Sequence, residues 1–569
     1  MNILGISCFY HDGASALIKD GKIIAASEEE RFSRIKHDSG FPQKSIDFCL
    51  KFGKIKASDL DYVVFYEKPF VKFERITLSF LATAPKARDS FVKAYKTWLK
   101  DKLWIKATLA SKLKIPSSKI LFSGHHLSHA ASSYYTSPFS SSAILTCDGV
   151  GEWTTTAWGV GKDNLLDLKN EIKFPHSLGL LYSTFTQFLG FEINEGEYKV
   201  MGLAPYGKPV YVDKVNKLIN QNKDGSYKLN LKYFNYHLSD KVSYSSEFIK
   251  LFKVPPLDPK KSDQIIQIYA DIAASAQKIL EDKLLVIAKY IKNKTGEENL
   301  CYAGGVALNG VANWRIFKEA GFKNIFVHPA AGDSGGALGA ALYLYYHVLG
   351  NKKKEVFDNV YLGEENSEKD IEKYFKSNSI KYKKLTYKKL EELLVDKLIN
   401  KKVIGWVKGR FEWGPRALGA RSILADPRNK QMKDIVNSKI KFREGFRPFA
   451  PVVLYEEANK YFDVGDEPFQ GILEYMLGVV PVKKSQRGKL GAVTHVDGTA
   501  RPQFIKKKKN PNYYNIVKAF GQATGMPVLL NTSFNLKGEP MVNTPEEAYS
   551  TFMKSGIDSL AIGNYLIEK

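Results

Sequence analysis

Cysteine is scarce in this chain: four in 569 residues, Cys8, Cys49, Cys147 and Cys301, with no CxxC pair among them. That spacing excludes a disulfide-stapled scaffold and a thiolate metal ribbon, and the apolar runs around each residue point to buried, reduced thiols. Long hydrophobic runs are missing too. The longest, GALGAALYLYYHV at Gly336–Val348, is too short to span a bilayer. The opening MNILGISCFY enters strand-like sequence with neither a basic leader nor a cleavage site. A soluble, cytoplasmic protein with no membrane partner is expected. Acidic residues are in deficit, 60 against 84 basic ones, for a net charge of +24. The lysines are nonetheless spread along the whole chain, with only short clusters at Lys352 and Lys506, and no nucleic-acid-binding module accompanies them. No nucleic-acid partner is expected. Diffuse lysine solvates a surface, and a few basic positions inside pockets suit phosphate-bearing small substrates.

What is present is repetition. The stretch NILGISCFYHDGASALIKDGKIIAASEEE reads as strand, loop, strand, Gly-Lys turn, strand, with His11, Asp12 and Gly13 at the first bend. From Ser142, SAILTCDGVGEWTTTAWGVGKDNLLDLKNEIKF repeats the layout, with Asp148 and Gly149 in the corresponding loop. Such duplication resembles the actin, sugar-kinase and heat-shock chaperone superfold, in which two related halves close on a nucleotide. Between the repeats, SGHHLSHAASSYY packs three of the chain's ten histidines into five positions. Residues four apart share a helix face, so His125 and His129 project toward one point, with His126 and His129 as a second pairing. Two imidazoles are half a coordination shell, and carboxylates must come from elsewhere. The alternative is a helix start with solvated histidines.

From Asp263 the apolar residues recur at helical spacing and predict a long amphipathic helix. Then ENLCYAGGVALNGVANWRIF and NIFVHPAAGDSGGALGAALYLYY each predict a strand, a Gly-rich turn and a helix, an arrangement that brings backbone N–H groups to phosphate or ribose. The charged break LGNKKKEV separates residues 1–350 from residues 357–569, with 351–356 as linker. Beyond it, Arg416, Arg421, Lys441, Arg443 and Arg447 crowd a short span among Gly, Pro and aromatic residues, which favours an anion pocket over a solvated face. Arg501 and the segment Asn531, Thr532, Ser533 add groups suited to a compact polar ligand.

Together these segments resemble the O-carbamoyltransferase family of NodU/CmcH type, whose members carbamoylate antibiotics, nodulation signals and related natural products. The motifs that carry the resemblance are GISCFYHDGASALI, EEERFSRIKHD, SGHHLSHAASSYY, DGVGEW, EGEYKVMGLAPYG, GGVALNG, AAGDSGGALGAAL, WGPRALGARSILADPR and KFREGFRPFAPVV. It implies an α/β, actin-like N-terminal domain and a YrdC-like, mixed α/β C-terminal domain. It also implies the chemistry: carbamoyl phosphate and ATP give carbamoyl-adenylate in the C-terminal domain, and the N-terminal domain transfers the carbamoyl group to a small-molecule hydroxyl acceptor.

By the same resemblance, His125, His129, Asp148 and Asp333 bind a divalent metal, iron(II) first, with zinc or manganese as alternatives. Gly149, Val150 and Gly151 meet nucleotide phosphates, and Gly304, Gly305 and Asn309 border the nucleoside. His11, with Asp12, is the general base on the acceptor hydroxyl. Lys441 and Arg447, joined by Arg416, Arg501 and Ser533, bind carbamoyl phosphate. Val71–Leu113 and Ser239–Asp263 match no acceptor class, so the acceptor stays open, as does the oligomeric state. Two competing readings are a non-haem iron oxygenase, suggested by two histidines and a carboxylate, and a non-catalytic actin-like nucleotide-binding chaperone.

Overall fold

The computed structural model describes residues 1–100, 102–262, 264–352, 356–465 and 471–569. Half of the expected linker 351–356, namely 353–355, lies outside the described residues, as does Asp263. The chain divides into two compact units: Met1–Glu29 with Ser39–Phe357, and Glu30–Asp38 with Asp358–Lys569. The short segment Glu30–Asp38, expected in the first domain, belongs to the second unit because its basic side chains find acceptors there. Arg31 Nη2 donates to Gly414 O at 3.0 Å, and Arg34 donates to the carbonyls of Met541 (2.6 Å) and Pro540 (2.9 Å).

In the first unit, strands β1 (Asn2–Ser7), β2 (Ala14–Lys19) and β3 (Lys22–Glu28) form an antiparallel meander, as the alternating small and branched residues predict. Parallel β4 (Tyr62–Phe65) and β5 (Ile120–Phe122) complete a five-stranded sheet ordered β3-β2-β1-β4-β5. The second sheet repeats this layout. Strands β6 (Ser141–Cys147), β7 (Thr154–Lys162) and β8 (Leu165–Lys173) form the meander. After the small hairpin β9 (Ile219–Gln221) and β10 (Tyr227–Leu229), the parallel strands β11 (Asn299–Ala303) and β12 (Asn324–Val327) extend it, in the order β12-β11-β6-β7-β8. This duplicated order is the actin-like arrangement expected, and it puts Asp12 and Asp148 in equivalent first bends.

Two helices join the sheets' ends to the site. His125–Tyr134 follows β5 and Asp333–Leu342 follows β12. They touch through glycine: a Cβ on Gly339 would lie 1.8 Å from Ser128 O, and one on Gly5 in β1 would lie 1.8 Å from Ala337 O. The Gly-rich run after Asp333 therefore serves close helix packing. The predicted amphipathic helix runs over Gln267–Thr295 and stops at Gly296, whose φ is 70°.

The second unit is mixed α/β. Strands β13 (Lys383–Lys384), β14 (Ile404–Val407), β15 (Arg421–Ala425), β16 (Ala450–Leu454), β19 (Gln503–Ile505), β20 (Val528–Ser533), β21 (Ser559–Ile562) and β22 (Tyr565–Glu568) form one sheet ordered β13-β22-β21-β14-β15-β20-β16-β19. The hairpin β17 (Val480–Pro481) and β18 (Thr499–Ala500) stands apart from it. Helices Tyr387–Ile399 and Pro511–Thr524 bury Leu390, Leu394, Leu398, Ile516, Val517 and Phe520 with Trp406, Leu424 and Leu529 of the strands. Antiparallel β15 and β20 place Ser533 opposite Ser422, at the strand end where the basic span begins.

Candidate active site

The helix His125–Tyr134 begins on Gly124, which has no side chain to cap it, and a distant carboxylate does that work. Glu152 accepts the His125 N–H at 3.0 Å and the Lys68 N–H at 2.8 Å. With the helix start fixed, the Nε2 atoms of His125 and His129 face each other at 3.1 Å. Asp148 Oδ2 lies 3.0 Å and 3.4 Å from those two nitrogens, and Asp333 Oδ1 lies 3.7 Å and 3.6 Å from them. Donors bound about 2.0–2.2 Å from one ion stand roughly 3.3–3.6 Å apart across tetrahedral edges. The four ligand atoms, all within 4.8 Å of one another, thus fit a shared divalent cation, and the mixed imidazole–carboxylate set suits iron(II), zinc or manganese alike.

Electrostatics agrees with the geometry. Burial alone would push His125 down, but the hydrogen bonds to Asp148 and Glu67 and the charge of Asp333 outweigh it and hold the ring up at about 10. His129 is raised in the same way, by Asp148 and Asp333 against burial. Burial would raise Asp148, yet the two imidazoles hold it well below the usual carboxylate range. A cluster of two carboxylates therefore demands two positive charges, either as ring protons or as one divalent ion. His126 takes no part. Burial keeps its ring neutral, and its Nδ1 bonds Thr146 Oγ1 at 2.8 Å.

Sequence reasoning missed the groups behind these ligands. Glu67 Oε2 stands 3.7 Å from His125 Nδ1 and is held by Lys72 Nζ at 2.6 Å. Burial would raise Glu67, but Lys72 and then His125 bring it down to about 2. Tyr66 Oη donates to Asp333 Oδ2 at 3.4 Å. The signal available was the carboxylate placed directly after the apolar strand in YVVFYE. Because outer-sphere partners of metal-bound histidines contribute roughly 10–100-fold to metal affinity, Glu67→Gln should weaken metal binding by that factor in a chelator competition. Unchanged affinity would leave Glu67 as a partner of Lys72 alone.

The expected nucleotide loops are partly committed elsewhere. Gly151, expected at the phosphates, is committed within its own loop: its N–H donates to Thr154 O at 2.9 Å, and a Cβ there would lie 2.9 Å from the His125 ring, so the glycine makes room for that ring. Gly304 has φ 96°, a Cβ on it would meet Cys147 O at 2.2 Å, and its N–H bonds Ala331 O. Gly305 N–H donates to Asp148 Oδ1 at 2.9 Å, which orients that carboxylate. Asn309 caps the helix Gly310–Glu319 and pairs with Gln277 at 3.0 Å. Gly149 and Val150 lie in the Asp148 loop, where the carbonyl of Gly149 accepts from Ser177 Oγ at 2.8 Å.

At the equivalent bend of the first sheet, His11 Nδ1 lies 3.0 Å from Asp12 Oδ2, both partly exposed. Burial would lower His11, but Asp12 and, further off, Asp333 and Glu197 raise it to about 9. At that value the ring carries its proton at neutral pH, and its basic form appears as pH rises.

In the second unit Lys441 is buried. Its Nζ donates to Ser533 O, Ser533 Oγ (3.1 Å), Asn535 O (3.1 Å) and Asn535 Oδ1 (2.7 Å). Burial first, then the charges of Arg443, Arg447 and Lys36, push it well below its ordinary value. Arg501 is pushed down likewise by burial and by Arg416, Arg443 and Arg447. The structure thus gathers Arg416, Lys441, Arg447, Arg501 and Ser533, and adds Arg443, Asn535 and Lys36. Arg421 goes elsewhere: fully buried, it donates to the carbonyls of Gly409 (2.9 Å) and Glu364 (3.1 Å) and stacks on Phe411. Asn531 turns into the core, where its Nδ2 bonds Ala417 O and Gln503 Oε1.

Comparison with known proteins adds a finding independent of this geometry. Residues 2–342 match the family described as carbamoyltransferase N-terminus and residues 395–569 the carbamoyltransferase C-terminus. The chain is 44% identical over 598 residues to an uncharacterized protein of Synechocystis sp., covering 100% of this chain and 97% of that one. It is 37% identical over 570 residues to the nodulation protein NolNO of Sinorhizobium fredii, covering 99% and 79% of the two chains. Over 268 residues it is 35% identical to the 3'-hydroxymethylcephem-O-carbamoyltransferase of Amycolatopsis lactamdurans, covering 47% and 48%.

Proposed function

The chain belongs to the carbamoyltransferase family and is an enzyme of that class, and from that premise we propose a two-step O-carbamoyl transfer driven by ATP. In the second unit water cleaves carbamoyl phosphate to carbamate and phosphate, and a carbamate oxygen attacks the α-phosphorus of ATP to give carbamoyl-adenylate, with release of pyrophosphate. In the first unit the acceptor hydroxyl attacks the carbamoyl carbon, its proton passes to His11, and AMP leaves. The cephem O-carbamoyltransferase likeness supports a small-molecule or saccharide hydroxyl as acceptor.

The observation that carries this reading is the cationic cluster around Lys441. Burial first lowers Lys441 and Arg501, and Arg443 and Arg447 press their charge on both, with Arg416 adding to Arg501. Glu444 offsets part of this charge, 3.3 Å from Arg447, and a bound anion would offset more, since arginine forks match a phosphate dianion. Lys441, fixed by Ser533 and Asn535, would present its charge from one side, and Arg447 and Arg501 from others.

In the first unit, Asp12 would accept a hydrogen bond from the Nδ1–H of His11, so that in the neutral ring Nε2 is the basic atom toward the hydroxyl. His125, His129, Asp148 and Asp333 would hold a divalent ion, which supplies Lewis-acid charge for the adenylate phosphate and offsets the Asp333 carboxylate that helps raise His11. Asp148, after β6, also ties Gly305, after β11, to that cluster, so two strand ends of the second sheet meet there.

Lys441→Ala tests the assignment of the anion site. Losing one charge-assisted donor should slow carbamoyl-phosphate-dependent ATP–pyrophosphate exchange roughly 10–100-fold, while metal content stays unchanged. Exchange at the native rate would move the carbamoyl-phosphate site elsewhere.

A further inference from the structure

Six of the 21 exposed large apolar side chains among the described residues fall between Phe70 and Trp104: Phe70, Leu78, Leu81, Val92, Leu99 and Trp104. Phe70 is 70% exposed, Leu81 63% and Trp104 59%. They belong to two helices, Pro69–Thr83 and Arg88–Lys100, and to the turn that follows. An aromatic seam pairs the helices antiparallel: Phe80 stacks on Phe91 with ring centroids 3.8 Å apart, and Phe73 meets Tyr95 at 5.3 Å and Trp98 at 6.0 Å.

Helical geometry says where the exposed residues lie. At about 100° per residue, Phe70, Leu78 and Leu81 lead the seam residues Phe73 and Phe80 by roughly a quarter turn. Val92 and Leu99 lead Phe91 and Trp98 by the same angle. In two antiparallel helices a quarter turn of equal sense falls on the same side of the pair, so these five side chains form one face. The other side of the first helix is clipped to the transfer site, through Lys72 to Glu67 at 2.6 Å and Arg75 Nη1 to Gly151 O at 3.0 Å. The face is therefore the outer surface of an element anchored beside the ligand helix.

Charge selects its partner. Residues 69–113 contain eight lysines and two arginines against three carboxylates; Lys72 and Arg75 turn inward, Lys86, Arg88, Lys96 and Lys100 are exposed on the second helix and the turn before it, and one acid, Glu74, is exposed on the apolar face between Phe70 and Leu78. Trp104 is held by its indole N–H, which donates to Leu99 O at 2.8 Å, leaving the ring outward. Exposed Phe, Leu and a fixed Trp beside exposed lysines are complementary to a lipid interface with anionic headgroups: the rings and branched chains enter the acyl boundary while the lysine stems reach back to phosphate.

We infer that the outer face of the Pro69–Lys100 helical pair, with Trp104, adsorbs to an anionic lipid surface. This goes beyond the transfer reaction and does not depend on its details. It departs from the expectation of no membrane partner, and it is adsorption, not spanning: among the described residues no helix is long and apolar enough to cross a membrane.

The test is sedimentation of the full-length protein with vesicles of phosphatidylcholine alone or of equimolar phosphatidylcholine and phosphatidylglycerol. Binding is expected only to the second kind and should fall with salt. A Phe70→Ser, Leu81→Ser double variant should bind at least roughly tenfold less, and each of Lys96→Gln and Lys100→Gln roughly fivefold less. Metal content and ATP–pyrophosphate exchange, unchanged in these variants, show that they are folded. No binding to anionic vesicles, equal binding to both kinds, or native binding by the double variant overturns the inference. So does a dimer in solution that the double variant dissociates, which would assign the face to a second copy of the chain.

Discussion

His125→Ala, His129→Ala in one chain should emerge from dialysis without metal and without carbamoyl transfer. The two imidazoles supply half of the four donor atoms gathered within 4.8 Å. If each ligand carries a comparable share of the roughly 10–16 kcal/mol that a four-ligand protein site provides, removing two costs about 5–8 kcal/mol, more than a 10³-fold loss of affinity. The carboxylates left behind would face each other buried and unpaired, so the double variant should also lose thermal stability. His126→Ala is the control. Its ring bonds Thr146 and lies outside the ligand set, so this variant should keep its metal at full stoichiometry by elemental analysis. Full occupancy in the double variant would remove the site from these residues.

The two candidate sites are electrostatic opposites. In the first unit two carboxylates draw protons onto two imidazoles, a cluster short of positive charge. In the second unit burial first, and then neighbouring cations, disfavour the charged forms of Lys441 and Arg501, a cluster rich in positive charge. The raised imidazoles and the lowered Asp148 of the first cluster stabilise the fold through their mutual charge, whereas the lowered Lys441 and Arg501 of the second cost it stability, a cost that a bound anion would offset. A metal ion and a compact phosphate-bearing anion are the partners of matching sign.

How much of this was legible in the sequence depends on whether the relevant interaction is local. The two meanders could be read because strand alternation and turn residues are short-range signals, and His125 with His129 could be read because helical spacing aims both rings one way. Glu67 and Glu152 could not. Their work, behind His125 and at the start of its helix, joins segments 58 and 27 residues apart in the chain, and nothing local marks a carboxylate as the cap of a distant helix. Arg421 shows the reverse error. Charge density along the chain placed it with Arg416 and Lys441, but it lies in β15 opposite β14, with its guanidinium turned inward to the backbone of Gly409 and Glu364. Gly151 is expected at the nucleotide phosphates and Gly304 beside the nucleoside because glycine permits close approach. The approach they permit is of the chain to itself.

His11→Asn should leave the first half-reaction intact and remove the second. Pyrophosphate would still form from carbamoyl phosphate and ATP, because the cluster around Lys441 lies in the other unit, whereas carbamoylated product should fall by roughly 10²–10⁴, as for a lost general base. Asparagine keeps hydrogen-bonding capacity toward Asp12 and cannot take up a proton at neutral pH. The pH profile separates a base from a structural residue. Asp12 raises His11 to about 9, so its basic form grows as pH rises through that value, and transfer should climb roughly tenfold per pH unit from neutrality before levelling off. In the metal-loaded enzyme the rise should shift to lower pH, since a cation offsets the Asp333 carboxylate that contributes to holding His11 up. His11→Asn should abolish the limb altogether. Measuring both products on one sample across pH decides the matter: an unchanged slope in the variant would assign the proton to another group, and equal losses of pyrophosphate and product would place His11 in folding or in adenylate formation.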